Sequence, residues 1–350
     1  MIKTIIKHPW LTGALLAIFA LSGTVAHAQY AHNPFFDHTV ELWHTYAIEI
    51  MNVRLAALAA FDDVPEELLE EAEDLVEEDL PRFKGSLAAS DAPLAHALEE
   101  ALEEVIEVAE TDDSDALKEA IARARELTWR ADAALVPGEM AARPEFVAAV
   151  VAKLVLNDDG VAEAYEDAVE EELWEYPNGW AALQRVRELW QQLRPLASTE
   201  QAFEIEDALQ RLAELFPSPV PPDLEGADPE AGEDPGRQLV STLEVVANAY
   251  LYPERELGRV ADVVTSAVRK AQAAYEAGQV DLAWERVMLA DFYYHENLRR
   301  LFELIVPDVH GRISEALESL LEGFEEAEAD TEEFDGLLAE LEQGRTLLGL

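Results

Sequence analysis

The chain has 350 residues, of which 73 are Asp or Glu and 25 are Lys or Arg, giving a formal net charge of −48. A surface this acidic repels nucleic acid and anionic lipid, and it suits either a solvated exterior adapted to high salt or one that collects cations. Because there is no cysteine, disulfides, thiolate metal sites, iron–sulfur clusters and haem c are excluded, and any metal has to be held by oxygen, imidazole or thioether.

Residues 1–28 are built like a cleaved signal peptide. Lys3 and Lys7 precede the apolar run from Leu11 to Leu21, and Ala26-His27-Ala28 has the small-x-small form of a cleavage site. The mature protein is therefore expected to begin at Gln29 and to be periplasmic. No later stretch approaches the roughly 18 apolar residues of a membrane span, so no membrane insertion is expected after cleavage.

A first helix is predicted from Pro34 to Phe61, with Phe36, Val40, Trp43, Ala47, Ile50 and Met51 on its apolar face. His38, Glu41 and His44 stand at intervals of three along it, which brings each neighbouring pair within reach. Further helices are predicted from Asp62-Asp63 and Pro65 to Leu80, from Ser90-Asp91 onward, from Asp113 to Leu135, from Pro144 to Leu154 and from Thr199 to Phe216. The prolines, glycines and acids of 217–237 then read as a linker. This divides the mature chain into a helical bundle at 29–216 and a second at 238–350.

In the second half, Leu257 to Ala274 and a helix starting at Asp281 form a hairpin closed at Gly278. Trp284, Val287, Met288, Tyr294, Leu298 and Phe302 make the apolar stripe of its second arm. Asp291 and His295 sit one turn apart inside that stripe, where each needs a partner. Two readings follow. If the two helices are neighbours, His38, Glu41, His44, Asp291 and His295 can surround a transition-metal cation, with iron or copper suited to imidazole, carboxylate and thioether. Alternatively, Asp291 pairs with Arg54 and the histidines are merely hydrogen-bonded, which leaves an acidic helical scaffold or interaction domain. No Gly-rich phosphate loop, His-Glu-x-x-His helix or nucleophile elbow is present, so no enzyme is expected.

Several stretches resemble the periplasmic portion of bacterial high-affinity iron permeases. They are Tyr165-x-x-Ala168-Val169, the pair Glu175-Tyr176, Pro222-Asp223-Leu224-Glu225-Gly226, and Ala274-Tyr275-Glu276-Ala277-Gly278, with His295-Glu296 standing where the family has Phe-Glu. His38-x-x-Glu41 is in addition similar to an element of imelysin-like periplasmic proteins. The resemblance implies a helical accessory domain of iron uptake that binds metal, delivers it, or docks on a membrane permease or another periplasmic protein. The haem module of cytochrome-fused members does not carry over, since its attachment cysteines are missing. Capped apolar stripes throughout, with almost no β-branched alternation, predict an all-α antiparallel helical bundle, in one body or as two packed helical subdomains.

Overall fold

The predicted stripes do become helices, and among the described residues there is no β-strand. The computed structural model describes residues 33–350 apart from positions 63, 112, 158, 171 and 326–328, so the expected signal peptide lies outside the described residues. In chain order the helices are α1 (Thr39–Leu58), α2 (Glu66–Asp74), α3 (Pro81–Ala109), α4 (Ser114–Leu135), α5 (Pro144–Leu156), α6 (Val161–Val169) and α7 (Glu175–Leu193). They continue with α8 (Thr199–Leu215), α9 (Glu233–Ala247), α10 (Leu257–Glu276), α11 (Val280–Asn297), α12 (Arg299–Ile305), α13 (Pro307–Glu325) and α14 (Thr331–Leu348). Short links make sequential helices fold back on each other, and the hairpins α3–α4 and α10–α11 pack together through α3 and α11.

Local chemistry sets the ends. Asp113 caps α4 by accepting from the Ala116 N–H, and Ser198 with Gln201 forms a full capping box on α8. The start predicted at Ser90-Asp91 is a kink inside α3. Asp91 is non-helical there and its Oδ1 accepts from the Leu94 N–H at 3.1 Å, which recaps the chain before Pro93. The first predicted helix is also interrupted. A turn at Pro34–Asp37 gives way to α1 through a non-helical His38 (φ −141°, ψ 43°).

Helix α1 organises the molecule. Every residue from Leu42 to Leu55 is buried, so the helix is enclosed on all sides rather than on one face. Ala47, Ile48, Met51, Leu55 and Leu58 belong to a smaller core shared with α2, α3 and α4. Leu42, Trp43, Tyr46, Ile50, Val53 and Ala57 belong to a larger core shared with the later helices. The two packed cores therefore meet along α1. Leu212 and Leu239, on either side of 217–237, lie in the same core, and α9 already begins within that stretch, at Glu233.

Helices α3 and α11 cross closely because Gly85 has no side chain: a Cβ there would overlap the backbone nitrogen of Leu282. Between α2 and α3 the chain makes a π-helical turn, Leu75–Asp79, closed by the Leu80 N–H on the Leu75 carbonyl at 3.2 Å. Its wider pitch brings Asp79 fully inside the protein.

Candidate functional site

A helix buried on all sides still carries five polar side chains here, and each is met by a group from another element. Thr45 donates to Asp132 at 2.9 Å, and Asn52 Oδ1 accepts from Thr128 at 2.9 Å. Glu49 takes a two-pronged Arg185 with both distances 2.7 Å, the geometry that suits guanidinium to carboxylate. His44 and Arg54 lead to two centres that have no counterpart in the sequence reading.

His44 Nε2 lies 2.9 Å from Glu285 Oε1 on α11, and Glu285 is completely buried. The same carboxylate accepts from the Ser86 N–H and hydroxyl, each at 2.7 Å, and Arg286 Nη1 stands 3.3 Å away. Trp43 Nε1 donates to the Arg82 carbonyl at 2.8 Å, so side chains engage the backbone of α3 at residues 82 and 86, one turn apart. This centre fastens α1, α3 and α11 at the Gly85 crossing.

Arg54 enters a cluster of buried charges. Its guanidinium lies 3.4 Å from Asp79, 3.5 Å from Asp159 and 3.5 Å from Asp74, and Arg82 lies 3.2 Å from Asp159 and 3.7 Å from Asp79. Neither Asp79 oxygen has a well-directed hydrogen bond among the described residues. Burial therefore outweighs the pull of Arg54 and Arg82 and pushes the Asp79 carboxyl up to about 6. Asp159 goes the other way. Burial opposes its ionisation, but Arg82 and Arg54, with a hydrogen bond from Tyr46, hold it below the usual carboxylate range. Burial also lifts Glu175 to about 7.

The sign of the resulting pH dependence follows from linkage. A carboxyl raised in the folded state supports folding below its unfolded value, near 4, and that support is lost as pH rises through its folded value. Asp79→Asn is therefore expected to flatten the decline in stability between about pH 4.5 and about pH 7.5, read as the difference in urea midpoints. A slope equal to that of the unsubstituted protein would show that Asp79 does not titrate in this window.

Arg82 and Asp159 also line a cleft of about 320 Å³ with Trp43, Phe292, Arg299 and the predicted pair Asp291 and His295. His295 Nδ1 meets Asp291 Oδ1 at 2.9 Å, and that bond raises the imidazole above its ordinary value. The pair fixes the ring and leaves Nε2 as its remaining donor or acceptor. Arg82 and Arg299 share this cleft with the acids, so it is mixed in charge rather than a nest of carboxylates for a bare cation.

The five predicted ligands are thus divided among separate places. Asp291 and His295 are together; His44 is bound to Glu285. The His38 ring lies against Phe146, with centroids 6.4 Å apart, because the break at His38 removes it from the helical spacing that would set it beside Glu41. Glu41 is half-buried near the start of α1. Among the described residues no group of three or more His, Asp or Glu is placed to hold a metal ion. The expected pairing of Asp291 with Arg54 is not formed either, since Arg54 is engaged by Asp74, Asp79 and Asp159.

On the other side of Phe292 lies a feature the sequence reading passed over. Lys153, one of only six lysines in the chain, is buried on α5. Its Nζ sits 4.3 Å from the centroid of Phe292, 5.1 Å from Tyr46, 5.2 Å from Tyr293 and 5.3 Å from Phe35. Burial lowers the amine to about 8, against an opposing pull from Glu296. Desolvating an ammonium costs several kcal/mol, and a desolvated cation–π contact returns about 2 kcal/mol, so the rings offset only part of the cost. The sequence signal was available: a single lysine inside Val147-Ala148-Ala149-Val150-Val151-Ala152-Lys153-Leu154-Val155 has no polar face to escape to.

No protein-family model matches the chain, and no curated protein is detectably similar to it.

Proposed function

We propose that this chain is an exported, non-enzymatic helical protein that serves uptake of iron or another transition metal by docking on a membrane permease or another periplasmic protein. The sequence resemblance supplies the uptake role. The observation that favours docking over carrying a bare ion is the pairwise use of the candidate ligands: His44 belongs to Glu285 and His295 to Asp291, at 2.9 Å each. The first pair ties α1 to α11 and the second fixes a ring along α11 itself, which leaves recognition to the surface. Leu304 and Ile305, 81% and 55% exposed at the end of α12, give that surface two adjacent apolar side chains.

Deleting the gene is expected to lower accumulation of iron, copper or manganese from dilute medium. Complementation with His44→Ala or His295→Ala should restore it if the folded protein is made. Unchanged accumulation of all three metals on deletion would overturn the uptake role. Restoration by neither variant, with both folded, would overturn docking in favour of a histidine-held ion.

A further inference from the structure

Lys153 is a buried ammonium with no oxygen acceptor among the described residues, and it faces a cavity. Lys153 is 3% exposed, and no carboxylate among the described residues lies within ion-pair distance of its Nζ. Yet it lines a cavity of about 440 Å³ together with Arg300, Asn157, Asn297, Glu163 and Glu296. Arg237 and Glu233, also on the wall, pair with each other at 2.8 Å and cancel. Arg300, on the exposed rim, has no ion-pair partner among the described residues. The aromatic box satisfies the lysine's charge from the side of the rings but supplies no lone pair for its three N–H donors.

We propose that this cavity binds the carboxylate of a small organic acid, with its oxygens accepting from the Lys153 ammonium and the Arg300 guanidinium. Glu163 and Glu296 on the same wall select against a second negative charge on the ligand and favour a neutral or cationic remainder, which is the pattern of an amino acid. The site shares Glu296 with the cleft of Asp291 and His295 but uses neither of those two residues, and it stands or falls independently of the role in metal uptake.

Titration calorimetry of the full chain with acetate, succinate, L-glutamine and methylammonium tests the proposal. L-glutamine is expected to bind more tightly than acetate, acetate more tightly than succinate, and methylammonium not at all. Lys153→Met should weaken L-glutamine about 10-fold or more, the loss of a charge-assisted hydrogen bond. Should that variant fail to fold, Arg300→Gln, on the rim, should weaken binding while Arg300→Lys retains most of it. Absence of heat with every probe would overturn the proposal, as would affinity unchanged in both Lys153→Met and Arg300→Gln. Succinate as the tightest probe would overturn the single-charge selection. Binding seen only in Glu296→Gln would show that the protein's own carboxylate fills the place, and would overturn it as well.

Discussion

Arg54→Met is expected to lower folding stability by about 3–5 kcal/mol, the cost of leaving buried carboxylates without their cation. Among the described residues, Arg54 is the one side chain that reaches Asp74, Asp79 and Asp159 alike, and Asp79 is fully buried. Methionine keeps most of the stem's packing, so the loss reports charge rather than a void. Urea unfolding provides the measurement, and the double variant Arg54→Met with Asp79→Asn supplies the control. If the penalty comes from a stranded carboxylate, the second substitution recovers a sizeable part of it. Strict additivity of the two changes would refute the coupling.

A loss of comparable size, about 3–5 kcal/mol, is expected for Glu285→Ala. The carboxylate meets three donors through two elements: His44 on α1, and the Ser86 N–H and hydroxyl on α3. Arg286 adds a fourth contact. Removing it strands these groups at a helix crossing that Gly85 keeps too tight for a bridging side chain to replace it. Alanine has the higher helix propensity, so propensity alone predicts a small gain. Asp281→Ala, on the exposed face of the same helix, is the reference and should change stability by no more than about 0.5 kcal/mol. Equal effects at 281 and 285 would sink the argument.

The helices were legible because apolar spacing and capping chemistry are local. Asp113 and Gly278 mark real ends, and the α10–α11 hairpin lies where its pattern puts it. What was not legible was pairing across distance. His44 and Glu285 are 241 positions apart, and nothing in either neighbourhood names the other. Asp79 was hidden in an acidic run, and only the π-helical turn separates it from its solvated neighbours Glu77 and Glu78. In the first helix, regular three-residue spacing promised a ligand row, but the backbone breaks at His38 and the row does not form. Asp291 with His295 was readable for the opposite reason: both sit on one unbroken helix, where spacing alone decides who meets whom.

Because α1 serves as a common wall for both apolar interiors, neither can melt and leave the other intact. Loss of either side would expose a helix whose every turn is oily and whose buried ions rely on partners from several directions. The molecule is thereby committed to cooperative, all-or-none unfolding, despite its length and its proline-rich midpoint.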